Sequence, residues 1–282
     1  MRDYQIALDG RIYNIPFFKR LDINTNANHV NIFASGPSIA DLNIDDSLLR
    51  LPSIFVNGSL SLISQHKFTN MAAYVISDER FIKHNAEILE QFYTGQPLFI
   101  TQPVIDMIAI KLPNLIKQYH EFITLIYAVD RPPSTDTKPN LLKSIPLLNK
   151  VVKKKLSLND FKDNPDFVID SVNYPQPIGV SLNIENGFIE AGTVAFVAAQ
   201  LAFSMGASEI HLFGIDLINS SEPRFYESND DRAPCKLDKA ISNRIIPSFN
   251  LLSKEYKKRE VNVFNHSPVS RLLFDEVEYL PI

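Results

Sequence analysis

The chain has 282 residues, 45% of them hydrophobic and 21% charged, with a net charge of −4. That composition describes a globular protein with a sizeable core, excludes a largely disordered chain, and argues against a general nucleic-acid binder, which carries a basic excess. A single cysteine, Cys235, excludes an intrachain disulfide or a cysteine-based zinc site and fits a reducing compartment.

Residues 1–28 lack the long apolar core of a signal peptide and read as an N-terminal extension. No apolar run approaches the roughly 20 residues that span a bilayer. The expectation is a cytoplasmic protein, with peripheral contact at a membrane surface left open.

From residue 29 onward, short apolar runs alternate with longer helical patterns. His29–Ala34 (HVNIFA) runs into SGPS, Ser53–Val56 (SIFV) into NGS, and Ala72–Ile76 into SDER. Pro97–Thr101 (PLFIT) runs into QP, and Phe122–Val129 into DRPP. Between them, Ser59–His66, Arg80–Phe92 and Gln102–Gln118 predict helices, the last interrupted by Pro113.

Residues 130–185 break the rhythm with many prolines and the basic amphipathic stretch LLKSIPLLNKVVKKKLSL, and read as a lid or insertion. The alternation then resumes. Thr193–Met205 is apolar all round, which predicts a buried helix, with Gly206 placed to end it. The strand Glu209–Gly214 follows, then a helix over Leu237–Glu260 bent near Pro247, then the strand Val261–Asn265 and HSP. Strands alternating with helices predict an α/β, doubly wound, largely parallel Rossmann-like sheet in a single domain over 29–282.

In such sheets ligands bind beyond the C-terminal ends of the strands. That rule gives the candidates Ser35, Gly36, Pro37 and Ser38; Asn57, Gly58 and Ser59; Asp78 and Arg80; Gly214 and Asp216; and His266, Ser267 and Pro268. SGPS is a small-residue turn that lets backbone N–H groups approach a ligand, or an ordinary strand–helix turn. The Asn57 amide can bind a sugar or base edge, or simply make a turn. Asp78 suits a general base and equally a helix N-cap. Arg80 can pair with Asp78 or hold an anion. Thr193 opens a helix whose free N–H groups can bind an anion, or merely caps it. The loop Arg224–Asp231 is the densest polar and aromatic cluster. There Tyr226 can donate to a leaving phosphate and Arg224 can supply positive charge.

Neither a GxGxxG fingerprint nor a P-loop is present. The histidines show no metal-ligand spacing, and no Asp-x-Asp triplet occurs to hold a divalent ion on a nucleotide diphosphate. No metal site is expected. His211 reads as a core or face residue, and His266 stands at a strand end.

The series SGP, VNGS, SDERF, GTVAFVAAQLAFSMGASEIHLFGIDL, RFYES and NHSPVS resembles the bacterial lipopolysaccharide-core Kdo transferases, which use CMP-Kdo. It is more distantly similar to the bacterial CMP-sialic acid-dependent sialyltransferases, with their NGPS-like first turn and GID strand end. The resemblance covers the chain from about residue 29, except 130–185. It implies a sialyltransferase-like glycosyltransferase fold and an inverting, metal-independent transfer with no cofactor beyond the CMP-activated sugar. It implies that Gly36, Pro37 and Ser38 approach the CMP, that Asn57 and Ser59 contact donor phosphate or sugar, and that Thr193 helps hold the nucleotide or the sugar carboxylate. Tyr226 would steady the leaving phosphate, and Ser267 and Pro268 would line the cytidine pocket. The acceptor would be an anionic lipopolysaccharide core, reached at the cytoplasmic face of the inner membrane, where the basic stretch Lys143–Lys155 would help or would simply be a solvated helix face.

The chain departs from the sialyltransferases twice. It has no histidine between Tyr226 and Asn265 to act as base, and it has Ala191 and Gly192 where they carry an arginine. The Kdo transferase pattern shares the Asp78, Arg80, Phe81 turn, so Asp78 is the expected base, with Glu227 second. Transfer of a sialic or other nonulosonic acid, or non-catalytic nucleotide or glycan binding on the same fold, are the alternatives.

Overall fold

A computed structural model describes residues 3–20, 28–133, 155–217, 224–226 and 240–281. Its first element is a hairpin that the sequence reading passed over, β1 (Tyr4–Leu8) and β2 (Arg11–Ile15). Asp9 and Gly10 turn it, both at positive φ (49° and 77°), the conformation a two-residue hairpin turn needs. Residues just beyond it bond to the outer edge of the main sheet: Leu125 N donates to Pro16 O (2.8 Å) and Phe18 N to Leu125 O (2.9 Å). An edge strand that would otherwise present bare backbone is thereby covered.

The main sheet has eight strands. They are β3 (His29–Phe33), β4 (Ser53–Val56), β5 (Met71–Ile76), β6 (Leu98–Ile100), β7 (Ile123–Leu125), β10 (Glu209–Phe213), β11 (Asn262–Asn265) and β12 (Glu278–Tyr279). Their order is β12-β11-β10-β3-β4-β5-β6-β7, and every pairing is parallel. The chain steps outward from β3 in one direction through β7 and in the other through β10 to β12. The α/β doubly wound expectation holds, and its switch point lies between β3 and β10.

Helices cover both faces. The short α1 (Asp46–Arg50) precedes β4. On one face α2 (Glu79–Phe92) and α3 (Gln102–Lys111) pack Phe81, Ile82, Leu89, Val104 and Ile105 against Phe33, Phe55, Tyr74 and Ile76 of the strands. α4 (Pro113–Tyr119) follows α3 directly, so Pro113 opens a new helix where one interrupted helix was expected. The helix expected over Ser59–His66 is a 3-10 helix, Asn57–Ser64.

On the other face α5 (Val194–Ser204) is buried almost all round, as its composition predicts. Phe196, Val197 and Leu201 each contribute about 1.5–3 kcal/mol relative to exposure. Gly206 ends it at φ +89°. Beside it lies α6 (Ile246–Lys257). The bend foreseen near Pro247 is a π turn over Ile241–Ile245, with Ile246 N bonded to Ile241 O. A proline lacking its N–H cannot continue the regular ladder, and the wide turn takes up the mismatch.

Within 130–185, the antiparallel pair β8 (Phe167–Asp170) and β9 (Ile178–Ser181) was not read from the sequence. β9 is wholly buried. Tyr256 of α6 donates to Ser181 O (3.0 Å), and Ser204 of α5 accepts from Ile184 N (3.0 Å). Most of the basic stretch lies outside the described residues.

Candidate functional site

The C-terminal ends of β3, β10 and β11 meet in one knot. The β3–β10 ladder continues past both strands, with Ala34 N bonded to Phe213 O (2.8 Å) and Gly36 N to Gly214 O (3.0 Å). The two turns touch so closely that only glycine fits. A Cβ on Gly36 would stand 2.5 Å from Asp216 Oδ2, and one on Gly214, at φ +72°, would stand 2.6 Å from Ile39. Pro37 opens a short 3-10 turn. Asp216 accepts from Ser38 twice, Oδ2 from the backbone N (2.6 Å) and Oδ1 from the hydroxyl (2.7 Å). Ser267 Oγ accepts from Ile215 N (2.7 Å), and Ser267 N donates to Asn265 Oδ1 (3.0 Å). Ser35, Gly36, Pro37, Ser38, Gly214, Asp216, Ser267 and Pro268 are thus neighbours, as the strand-end rule predicts. Ser35 to Ser38 and Asp216 remain partly open to solvent.

His266 differs from its neighbours. It is buried in the sheet face, stacked on Phe213 (4.5 Å between ring centres), with Nε2 2.8 Å from His211 Nδ1. Burial above all, with the field of His29, lowers its pKa to about 4, so it is neutral at pH 7.

A second patch lies after β4. Asn57 sits at φ +50°, and its backbone O accepts from the buried Tyr74 hydroxyl (2.8 Å). Its side-chain Oδ1 is buried without a donor, an acceptor that a ligand N–H or O–H would satisfy. The Tyr226 ring lies over Gly58, where a Cβ would meet it at 1.9 Å. Chain segments 168 positions apart therefore share this patch. Ser59 is inside the wall: its hydroxyl donates to Phe33 O (2.6 Å) and accepts from Val56 N (2.8 Å), tying β4 to β3. Arg224 is half-buried beside Phe225 and Tyr226 in sequence, and Glu227 lies outside the described residues.

A third patch is a string of charges. Asp78 caps α2, accepting from Arg80 N (2.9 Å), and its carboxylate is forked by the Arg80 side chain, with Nε at 2.8 Å. Partial burial pushes the Asp78 pKa up, but the hydrogen bonds and charge of Arg80 outweigh it, and the net shift is downward. Asp78 is thus the N-cap of α2, with an ionised carboxylate at a strand end. Glu190 lies close enough to Arg80 to stabilise its charge. Glu190 pairs in turn with Arg131, whose Nε lies 3.3 Å from the buried Asp130. Lys155, the end of the basic stretch, reaches the same Asp130 at 3.0 Å. Arg244 donates to Glu190 O (2.6 Å).

Asp130, Arg131, Glu190 and Arg244 were missed by the sequence reading. Applying the strand-end rule to the run before DRPP would have found the first two. Glu190 and Arg244 carry no local signal. Arg244 stands on the π turn over Ile241–Ile245, and the chain beside Glu190 is held by Gln200, buried in α5, whose Oε1 accepts from Ser181 N (2.9 Å) and Ile189 N (3.0 Å) and whose Nε2 donates to Ile189 O (2.9 Å). That side chain bolts the 189–193 segment to the helix. Thr193 caps α5, accepting from Ala195 N (3.4 Å), behind Gly192 at φ +91°.

Two surface grooves, of about 520 and 370 Å³, lie by β8 and α6 and by α2 and α4; neither is lined by any residue of these patches. Among the described residues, one group of three metal-ligating side chains converges, His29, Glu209 and His211, where no histidine spacing had suggested a metal.

A family model described as "3-deoxy-D-manno-octulosonic acid transferase WaaZ" matches residues 18–282. Two curated proteins are each described as "Probable 3-deoxy-manno-octulosonic acid transferase". The one from Salmonella typhimurium is 25% identical over 252 residues, covering 88% of this chain and 85% of that protein. The one from Escherichia coli is 22% identical over 285 residues, covering 95% and 90%. Among solved structures, a variant of the sialyltransferase CST-II in complex with CMP aligns with a TM-score of 0.41 and 17% identity, over 90% of this chain and 86% of that one.

Proposed function

The chain belongs to the WaaZ family of 3-deoxy-D-manno-octulosonic acid (Kdo) transferases and is a glycosyltransferase, and we propose that it moves Kdo from CMP-Kdo to an anionic lipopolysaccharide-core acceptor with inversion and without a metal. One observation carries the placement of the donor: the three turns after β3, β10 and β11 are laced together at the switch point of a parallel sheet, where α/β folds bind nucleotides. CMP is placed on Gly36 to Ser38 and Ser267 to Pro268, and the sugar toward Asn57 and Tyr226.

In the reaction the acceptor oxygen attacks the anomeric carbon, the bond from that carbon to the phosphate oxygen breaks, and CMP leaves. Asp78 takes the acceptor proton. While paired with Arg80 it is a weak base, because its pKa is held down. The donor brings a phosphate and a sugar carboxylate, and Arg80, largely exposed, is free to turn toward them. Once the Arg80 side chain leaves, burial is opposed only by the Arg80 backbone N–H and by Lys83, and the basicity of Asp78 rises. The donor thereby switches on the base. Arg80, Arg224 and the Tyr226 hydroxyl stabilise the departing phosphate monoester.

No helix among the described residues is long and apolar enough to cross a membrane. The working location is the cytoplasmic face of the inner membrane, with peripheral contact. Replacing Lys153, Lys154 and Lys155 by neutral residues is expected to weaken co-sedimentation with anionic vesicles, and unchanged binding contradicts a membrane role for the basic stretch.

The function is tested by incubating the purified protein with CMP-Kdo or CMP-sialic acid and a lipooligosaccharide core, and following CMP release and acceptor mass. Transfer of Kdo supports the reading. Turnover of CMP-sialic acid alone, or CMP binding with no turnover of either donor, contradicts it.

A further inference from the structure

Just after β4 the backbone is fixed residue by residue. Asn57 O accepts from the Tyr74 hydroxyl (2.8 Å), Gly58 O accepts from the Ser61 hydroxyl (2.9 Å), and the Ser59 hydroxyl donates to Phe33 O (2.6 Å). The Asn57 backbone is left-handed, at φ +50°. Asparagine tolerates that conformation best when its short side chain bonds locally. Here Oδ1 has no donor. Contacts from outside the residue therefore help to hold it, and Tyr74 supplies the one on its carbonyl.

Tyr74 is fully buried in β5. A phenol in such a place carries a hydroxyl that needs a partner. Phenylalanine would fill the same space without that demand. The polar tip is aimed at Asn57 O and so fixes the start of the Asn57–Gly58 peptide.

Tyr226 rests on the other end of that peptide. A Cβ on Gly58 would stand 1.9 Å from Tyr226 Cε1 and 2.1 Å from Cζ, the carbon that bears the hydroxyl. Gly58 is not among the glycines at positive φ, so it is the ring, and not the backbone conformation, that requires a glycine here. Phe225 meets the Tyr226 ring at a right angle, 5.6 Å between centres, and both pack against the core cluster that holds Tyr74 and Phe55. Burial above all, and then the nearby Tyr226 phenol, pushes the Tyr74 pKa up, so the two phenols are electrostatic neighbours.

We propose that Tyr74 and Gly58 are positioning residues that together form the seat of Tyr226. Tyr74 fixes the Asn57–Gly58 peptide from the core, and Gly58 admits the ring. The seat sets where the Tyr226 hydroxyl meets the departing phosphate. The purpose of the seat rests on the transferase reading; its geometry does not. Displacement of a reacting group by about 1 Å can cost roughly 10²-fold in rate, which gives the seat its leverage. Tyr74 hides in the sequence as one more aromatic of an apolar strand.

The test uses the full-length protein in two arms. The first measures CMP-Kdo turnover beside calorimetric CMP binding. Gly58→Ala should lower kcat roughly 10²-fold, and Tyr74→Phe, which keeps the ring, about tenfold. CMP affinity should be nearly unchanged in both, because the nucleotide is placed on the switch-point turns. In a Tyr226→Phe background no hydroxyl is left to position, and neither substitution should lower kcat further. Tyr93→Phe removes a like bond, to Gln96 O (2.9 Å), from the same core and should leave kcat alone. The second arm needs no turnover. Fluorotyrosine placed at position 226 and followed by fluorine NMR should shift in Gly58→Ala and in Tyr74→Phe, and not in Tyr93→Phe. Losses in kcat that persist undiminished in the Tyr226→Phe background overturn the proposal, as does a fluorine resonance that neither Gly58→Ala nor Tyr74→Phe moves. If the unaltered protein turns over no CMP-Kdo, the transferase reading fails by itself, and the fluorine arm alone decides the seat.

Discussion

At the switch point the polar groups of the Ser35–Ser38, Gly214–Asp216 and Ser267 turns satisfy one another at 2.6–3.0 Å, through backbone N–H groups and short side chains. At the ends of β5 and β7 the polar groups are instead charged and held in ion pairs, Asp78 with Arg80, Asp130 with Arg131 and Lys155, Glu190 with Arg131. The first region is a frame of mutual hydrogen bonds, with Asp216 as its charged member and no ion pair in it among the described residues. The second is an exchangeable set, since an incoming anion competes for its arginines. A frame suits recognition of the nucleotide, and an exchangeable set suits the reacting groups.

The largest effect is expected where the exchangeable set does chemistry. Asp78→Asn keeps the cap of α2, because asparagine caps as well as aspartate. It removes the base, and transfer should fall about 10²–10⁴-fold with CMP affinity nearly unchanged. Steady-state assays beside calorimetric CMP binding check this; near-normal turnover rules out Asp78 as the base.

The frame should respond in the opposite way. Gly36→Ala puts a Cβ 2.5 Å from Asp216, and overpacking of this kind costs about 1–3 kcal/mol. Tm and CMP affinity should drop together. Loss of turnover with unchanged CMP affinity in this variant would erase the distinction between the two regions. Asp216→Asn is milder. It replaces one of the two oxygens that accept from Ser38 by an amide nitrogen, and CMP affinity should weaken by about tenfold, the order of one charged hydrogen bond of about 1.5 kcal/mol.

The smallest effect is a titration. The folded pKa of Asp78 is below its ordinary value, so the Asp78–Arg80 pair contributes stability above that ordinary value and loses it as pH falls through the folded pKa. Arg80→Ala removes the side-chain hydrogen bond and the charge, leaving burial opposed by the backbone N–H at position 80 and by Lys83. The Asp78 carboxyl, followed by carbon-detected NMR, should then titrate at higher pH than in the unaltered protein. An unchanged titration contradicts the proposal that Arg80 governs the base.

The sheet was legible because each apolar run stops at a polar turn. Ser53–Val56 matches its strand residue for residue, and α5 follows from its unbroken apolar composition. The hairpin at Tyr4–Leu8 and Arg11–Ile15 was overlooked although Asp9-Gly10 is a strong turn signal. Within the 3-10 helix Asn57–Ser64, Ser59 bonds Phe33 O of the neighbouring strand, a tertiary contact that no local pattern encodes. The frame could be read from the strand-end rule alone. Glu190 and Arg244 could not, because Gln200 and Arg244 build that corner across distant segments. The stacked His29 and His211 rings escaped for the same reason, since spacing in sequence carries no information about side chains on neighbouring strands.

The central claim is that the donor's nucleotide sits on the switch-point frame. A crystal structure of the protein soaked with CMP tests it most directly. The account predicts the cytidine and phosphate against Gly36 to Ser38 and Ser267 to Pro268, with Arg80 turned away from Asp78. CMP bound elsewhere on the chain, with those turns vacant, would contradict it.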